Sequence, residues 1–246
     1  MLFIDKIDIV GEYMKVAVFS DIHGNYQALK AIIGDIKCKQ VDQVIFLGDA
    51  VGLGPDHNEC LELLNSMPNL TFLYGNHELY CTRGHEIDPY VASHEDRLVH
   101  HLWVNNTVDK KLFKKEMLYH SLELCGKRFS FSHYFLRDND YPFYNLDIIE
   151  KNRYKDFVKN LNYDYIFIGH HHDGLVEEIK DKHLYCVGSS GCVPSNITYY
   201  YLINATDKIS VEKVNVQYNR EKLIGRINHV KYPGLDTIKE KFFNVK

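Results

Sequence analysis

Residues 15–50 read KVAVFSDIHGNYQALKAIIGDIKCKQVDQVIFLGDA, and the order of apolar periods within them decides the fold. VAVFS (16–20) is a β-rich run. NYQALKAIIGDI (25–36) repeats its apolar residues at helical spacing, and QVIFLG (43–48) is a run again. Working outward, HNECLELLNSM (57–67) is helical and LTFLYG (70–75) is a third run. This β-α-β-α-β order predicts a largely parallel sheet flanked by helices. SHEDRLVHHLWVNN (93–106) reads as a further helix, with Ser93 as N-cap and Glu95 and Asp96 in its first turn.

Beyond it the character changes. SLELCGKRFSFSH (121–133), YIFIGH (165–170), GLVEEI (174–179), HLYCVGS (183–189), TYYYLINA (198–205) and ISVEKVNV (209–216) are short strand candidates. Turn residues separate them, which predicts an antiparallel sheet. Helices return around IIEKNRYKDFVKNL (148–161) and at the C-terminal end. No linker or repeat divides the halves, so residues 14–246 read as one domain holding two packed sheets. MKVAVFSDIHGN from Met14 resembles a normal protein start, so residues 1–13 read as an extension.

The chain has 246 residues, 45% hydrophobic and 25% charged, enough for a sizeable core. A formal net charge of −4 and the absence of a Lys/Arg block argue against nucleic acid or an anionic membrane as partner, and favour a small substrate. MLFIDKIDIVGEY at the start is interrupted by charges, and no apolar run has transmembrane length, so a cytoplasmic location is expected. Cys38, Cys60, Cys81, Cys125, Cys186 and Cys192 form no C-x-x-C pair and read as reduced thiols.

Each β run ends in a polar cluster. Asp21-Ile22-His23-Gly24-Asn25 follows the first, Gly48-Asp49 the second and Gly75-Asn76-His77-Glu78 the third; His133 and His170-His171-His172 end two later runs. Carboxyl ends of neighbouring parallel strands meet at one edge of an α/β sheet, so the clusters should converge. Singly, each has a plain explanation as helix cap, turn or half-buried imidazole. Together they would bury many polar groups at one edge, which is costly unless something pairs them. A metal does so. Mixed carboxylate, amide and imidazole donors suit manganese, iron, zinc, cobalt or nickel better than calcium, and the donors outnumber the needs of one ion, which points to two sharing a carboxylate.

The ordered set DIHGN, GD, GNHE, a lone His and GHHH resembles the D-x-H…G-D…G-N-H-[DE]…H…G-H-x-H pattern of the calcineurin-like binuclear metallophosphoesterases. The resemblance implies two mixed β-sheets sandwiched between helices, a four-layer αββα arrangement. It also implies two divalent transition metal ions, manganese first, with iron, zinc, cobalt or nickel as alternatives. Carried over residue by residue, Asp21, His23, Asp49 and His172 would bind one ion, and Asp49, Asn76, His133 and His170 the other. His77 matches the family's non-ligand histidine at the leaving group. Attack on phosphorus by a metal-bridging hydroxide is the implied mechanism. The G-H-x-H spacing sets His170 and His172 on the metals; in an extended segment, side-chain alternation would turn His171 away. Glu78 reads as a support to the ligands or as purely structural. His57, His85, His94, His100 and His101 have no motif behind them and read as surface or helix residues.

The protein phosphatases of that superfamily carry G-D-x-V-D-R-G and an Arg before the third block. Here Gly52 stands in place of the Asp, and Leu53 and Tyr74 in place of the arginines, which removes the grip on a dianion. GDAVGLGPDHNEC instead resembles the small prokaryotic phosphodiesterase-type branch. A small phosphodiester substrate is therefore expected; the alternatives are a nucleotide polyphosphate, a protein phosphatase activity, or a non-catalytic scaffold. The segment between His77 and His133, with Tyr80, Tyr90 and Trp103, is the expected pocket wall.

Overall fold

The computed structural model describes residues 8–9, 13–84, 87, 94–135 and 154–245. In chain order the elements are β1 (Asp8–Ile9), β2 (Met14–Phe19), α1 (Tyr26–Cys38), β3 (Gln43–Phe46), α2 (His57–Asn65), β4 (Leu70–Phe72) and α3 (Asn76–Arg83). They continue with α4 (Glu95–Thr107), β5 (Tyr119–Leu124), β6 (Lys127–Ser132), α5 (Tyr154–Lys159), β7 (Tyr165–Ile168), β8 (Leu175–Ile179) and β9 (Lys182–Cys186). β10 (Ile197–Ala205), β11 (Ile209–Gln217), α6 (Arg220–His229) and α7 (Leu235–Phe243) complete them.

The opening β-α-β-α-β reading holds. β2, β3 and β4 lie parallel and side by side, and the β10–β11 hairpin extends that sheet antiparallel to β2, giving the order β11-β10-β2-β3-β4. The second sheet has the order β1-β5-β6-β7-β9-β8. Here the antiparallel expectation fails: β6, β7 and β9 run parallel, and only the β5–β6 and β8–β9 pairs are antiparallel. The chain between β6 and β7, which carries α5, crosses over and returns in the same direction, and β8 pairs at the edge of β9 instead of beside β7. Residues 121–133 also divide into a hairpin. Cys125 and Gly126 form its two-residue turn with φ of 49° and 68°, the left-handed pair that matches strand twist.

Strand alternation builds the layers. Val16, Val18 and Ile45 face Leu122, Phe129, Phe131 and Phe167 of the other sheet. Ala17, Phe19, Val44 and Phe46 point the opposite way, onto Leu29, Ile32, Ile33 and Ile36 of α1 and Leu61 and Leu64 of α2. On the far side Ile166, Ile168 and Leu184 meet Tyr154 and Val158 of α5. The result is helix, sheet, sheet, helix. Both faces of the central strands are buried, and each such side chain contributes roughly 1.5–3 kcal/mol.

The helix expected at 93–106 is α4; its N-cap is His94, and Ser93 lies outside the described residues. Of the helix expected at 148–161, Tyr154–Lys159 is helical and residues 148–153 are outside the described set. Within residues 1–13, Asp8 and Ile9 pair in parallel with Leu122 and Glu123 of β5. Among the described residues, no helix is long and apolar enough to cross a membrane.

Candidate metal centre

Each sheet contributes three parallel strands to one edge, and all their carboxyl-terminal loops meet there. Between the sheets, Asp21 Oδ2 accepts from the His170 N–H at 3.1 Å, and the Ser190 and Gly191 N–H groups donate to the carbonyls of Ser20 and Asp21, both at 3.0 Å. Asp21, His23 and Asp49 are 0–1% exposed, as is His133. Asp21, His23, Asp49 and His170 all adopt left-handed backbone, with φ between 47° and 65°. Such conformations cost energy and persist only where the surroundings over-determine them. Here the ladder continues past the strands: Asp21 N–H donates to Gly48 O and His23 N–H to Asp49 O, each at 2.9 Å.

Glu78 fixes the second loop. Its fully buried carboxylate accepts from the N–H groups of Asp49 (2.7 Å), Ala50 (2.8 Å) and Gly75 (2.9 Å), so its role is to hold the backbone around Asp49. Burial, reinforced by the Asp49 charge, pushes its pKa up to about 7. Asp49 Oδ1 accepts from His77 N–H at 2.9 Å. Gly75 must remain glycine, because a Cβ there would lie 2.1 Å from that oxygen.

The candidate ligand atoms fall into three groups, each within 4.8 Å: Asp49, His133 and His170; His23, Asp49 and His77; and His23, His172 and Cys192. Asp49 Oδ2 lies 3.3 Å from His133 Nε2 and 3.8 Å from His23 Nε2, between the first and last groups. Asp21 Oδ1 lies 3.4 Å from His172 Nε2 and 3.6 Å from His23 Nε2. Asn76 Oδ1 is 3.0 Å from His170 Nδ1. Asp21, His23, Asp49, Asn76, His133, His170 and His172 are thus brought together, with His77 beside them.

His170 and His172 join these groups and His171 does not, but the reason differs from the expected one. The segment is not extended. His170 sits at φ 65°, and a tight His171 N–H to Gly169 O bond of 2.8 Å bends the chain.

Second contacts fix the imidazole tautomers. His23 Nδ1 faces Val51 O at 3.0 Å and His133 Nδ1 faces Leu47 O at 2.9 Å; a carbonyl only accepts, so both Nδ1 atoms carry the proton. Each Nε2 is then the ring atom turned toward the carboxylates, and the one that a bound cation would engage. His133 Nε2 and Asp21 Oδ1 are buried without a hydrogen-bond partner. Two divalent ions would satisfy these donors.

The electrostatics agree. Burial pushes Asp21 and Asp49 upward, yet the neighbouring imidazoles, His133 foremost, hold both well below the usual carboxylate range. Burial opposes charge on His133 too, but Asp49 and Asp21 raise it to about 9. His172 is raised by Asp21 against its burial. Protons on imidazoles here offset the buried negative charge that cations would otherwise offset. His77 goes the other way: burial holds it well below the ordinary histidine range.

His57 and His100 do lie on helices but are buried, 3% and 4% exposed. His100 accepts from Leu53 N–H at 3.1 Å and donates to Pro233 O at 3.1 Å, tying the second loop to the C-terminal segment. His101 packs against His77, with ring centroids 4.9 Å apart, and His94 is exposed at the cap of α4. His85 lies outside the described residues. Of the expected wall, Tyr80 packs on His77 at 5.6 Å, Trp103 stacks instead on Tyr232, and Tyr90 is outside the described residues. Phe242 of α7 packs on His172 at 5.7 Å, a contribution the sequence reading missed. Cys192 was missed as well. It follows β9, whose end shares the edge with β7 only because the two run parallel.

A two-sheet sandwich with Asp, Asn and His donors gathered where its parallel strands end is the arrangement of the metallophosphoesterases. Residues 14–174 match the calcineurin-like phosphoesterase family, and the chain belongs to it. An uncharacterized protein of Methanocaldococcus jannaschii, MJ0912, is 32% identical over 238 residues, covering 86% of this chain and 91% of that one. The crystal structure of hypothetical protein PH1004 from Pyrococcus horikoshii OT3 superposes with a TM-score of 0.69 at 18% identity, over 97% of this chain and all of that one. A metallophosphoesterase from Sphaerobacter thermophilus gives 0.63 at 19% identity, over 94% and 99% of the two chains.

Proposed function

We propose that this protein is a binuclear metal-dependent phosphoesterase that hydrolyses a small phosphodiester. The observation that carries the reading is the position of Asp49 Oδ2 between His133 and His23, beside a second fully buried carboxylate, Asp21, whose ion pairs are likewise with histidines. Asp21, His23 and His172 would hold one ion, Asn76, His133 and His170 the other, and Asp49 both. Divalent ions bound there, manganese first among them, supply Lewis acidity and lower the pKa of water.

The chain's own groups do the rest. Glu78 keeps Asp49 in its left-handed conformation through three backbone N–H groups. The N-terminus of α3 starts at Asn76, and its dipole favours a phosphate's negative charge. His77 would hydrogen-bond the leaving oxygen, burial favouring its neutral imidazole. Positions 53 and 74 support the diester. Leu53 packs with Ala28, Val193 and Tyr218, and Tyr74 is buried in the core with its hydroxyl donating to Lys114 O at 2.6 Å, so neither grips a second phosphate charge.

The test is elemental analysis of the purified protein, followed by kcat/KM with Mn²⁺ on a bis-aryl phosphodiester and its monoester. Two metals per chain with the diester turned over at least as well as the monoester is the expected result. A strong monoester preference overturns the substrate assignment alone. Absence of bound metal and of turnover on either ester, or on a dinucleotide polyphosphate, overturns the enzyme reading.

A further inference from the structure

Resting on the metal-centre reading above, we infer that Cys192 is a sulfur ligand to the ion held by His23 and His172, and that this position selects a thiophilic ion such as zinc or cobalt(II). Cys192 Sγ lies within 4.8 Å of the ligand nitrogens of both histidines. An independent observation marks the same point as a cation site. Asp21 Oδ1, on a residue with no exposed surface, has no hydrogen-bond partner and is aimed at the same two imidazole nitrogens at 3.4 and 3.6 Å.

The loop carrying the thiol is anchored to the site. Ser189 Oγ donates to Asp21 O at 2.7 Å and accepts from Cys192 N–H at 2.8 Å. Asn25 Nδ2 donates to Gly191 O at 2.7 Å. Gly191 passes so close to Ile22 that a Cβ would lie 1.9 Å from the Ile22 carbonyl oxygen, so the loop is pressed onto the DIHGN turn. Cys192 itself is half-buried, packed against the core cluster that holds Val193, Tyr218 and Phe243.

With the Asp21 carboxylate and the shared Asp49 carboxylate, two imidazoles and a thiolate make five donors, and the sulfur among them favours zinc-like ions over manganese, which prefers oxygen. As the sulfur–metal bond forms, the thiol proton passes to solvent. The other group, Asp49, His133, His170 and Asn76, has no sulfur, so the two positions differ in softness.

The experiment uses the full chain loaded with Co²⁺. A thiolate-to-cobalt charge-transfer band in the near ultraviolet is expected. Cys192→Ser should remove it while d–d absorption and bound cobalt persist. Zinc affinity should fall at least about tenfold in that variant, with manganese affinity changed far less. X-ray absorption on the zinc-loaded native chain needs no variant and should show a sulfur scatterer at about 2.3 Å, against about 2.0–2.1 Å for nitrogen. Cobalt bound with no charge-transfer band, only nitrogen and oxygen scatterers around zinc, or a band that survives Cys192→Ser each overturns the sulfur ligand and leaves the metal centre standing. Failure to bind cobalt or zinc at all overturns both.

Discussion

Gly52 is where the smallest chemical change should reach the reaction. It has φ of +84°, and a Cβ there would lie 2.0 Å from His77 Nδ1, so this imidazole rests directly on the glycine backbone. Gly52→Ala should displace His77 and lower kcat by about tenfold or more, since a misplacement near 1 Å can cost ~100-fold. Bound metal should be unchanged, and the left-handed backbone should cost about 1–2 kcal/mol of stability. Turnover, elemental analysis and a denaturant titration check the three parts. The histidine triplet gives a second test. His170→Ala and His172→Ala should each lose metal and activity together, whereas His171→Ala should keep both metals and most of the turnover, because the φ 65° bend at His170 and the His171 N–H to Gly169 O bond orient the segment. A metal-poor His171 variant would contradict that geometry. That the outer pair joins the donor groups was legible from G-H-x-H spacing; the bend was not, because a left-handed non-glycine residue has no sequence mark.

Helices α2 and α4 carry a pH response through His57 and His100. Burial depresses both, to about 3 for His57 and to about 4 for His100, the latter partly offset by its bond to Pro233 O. In the unfolded chain both titrate near 6.5, so below that the unfolded state binds more protons. Their stability contribution is complete above about pH 6.5 and is lost as pH falls towards the folded values, by up to about 1.4 kcal/mol per pH unit for each group. His57→Phe should remove roughly half of that slope, read as denaturant midpoint against pH. An unchanged slope would show that His57 is not held neutral. The elements themselves were readable wherever one period dominated, as in α1 with Leu29, Ile32, Ile33 and Ile36 on one face. Burial of His57 against Trp103, ring centroids 5.2 Å apart, was not, since a histidine reads as polar until its neighbours are known.

An aromatic layer lines the inner face of the second sheet, in one core cluster with Val16, Val18 and Ile45 of the first. Phe167 lies against Phe131 at 5.3 Å and Tyr185 at 4.7 Å and has no exposed surface. Phe167→Ala should cost about 3–5 kcal/mol, measured by denaturant unfolding, because rigid neighbours on both sides keep the cavity from collapsing. We read residues 14–246 as the folding unit and 1–13 as an extension that adds the two-residue edge strand Asp8–Ile9. A chain starting at Met14 should fold and retain its metal; loss of metal from that shortened chain would place the extension in the unit.

The sequence by itself determined the parallel order of β2, β3 and β4, the polar clusters at their ends and the donor types, because periodicity and strand-end chemistry are local. It did not determine the direction of β6, β7 and β9, since a short strand carries the same alternation whichever way its neighbour runs. Only the tertiary structure decided that β9 ends at the same edge as β7, and so that Cys192 stands beside His23 and His172, 169 and 20 positions away in the chain. Strand direction depends on how the crossover and hairpin between those strands pack, which is a property of the whole sandwich and of no single segment.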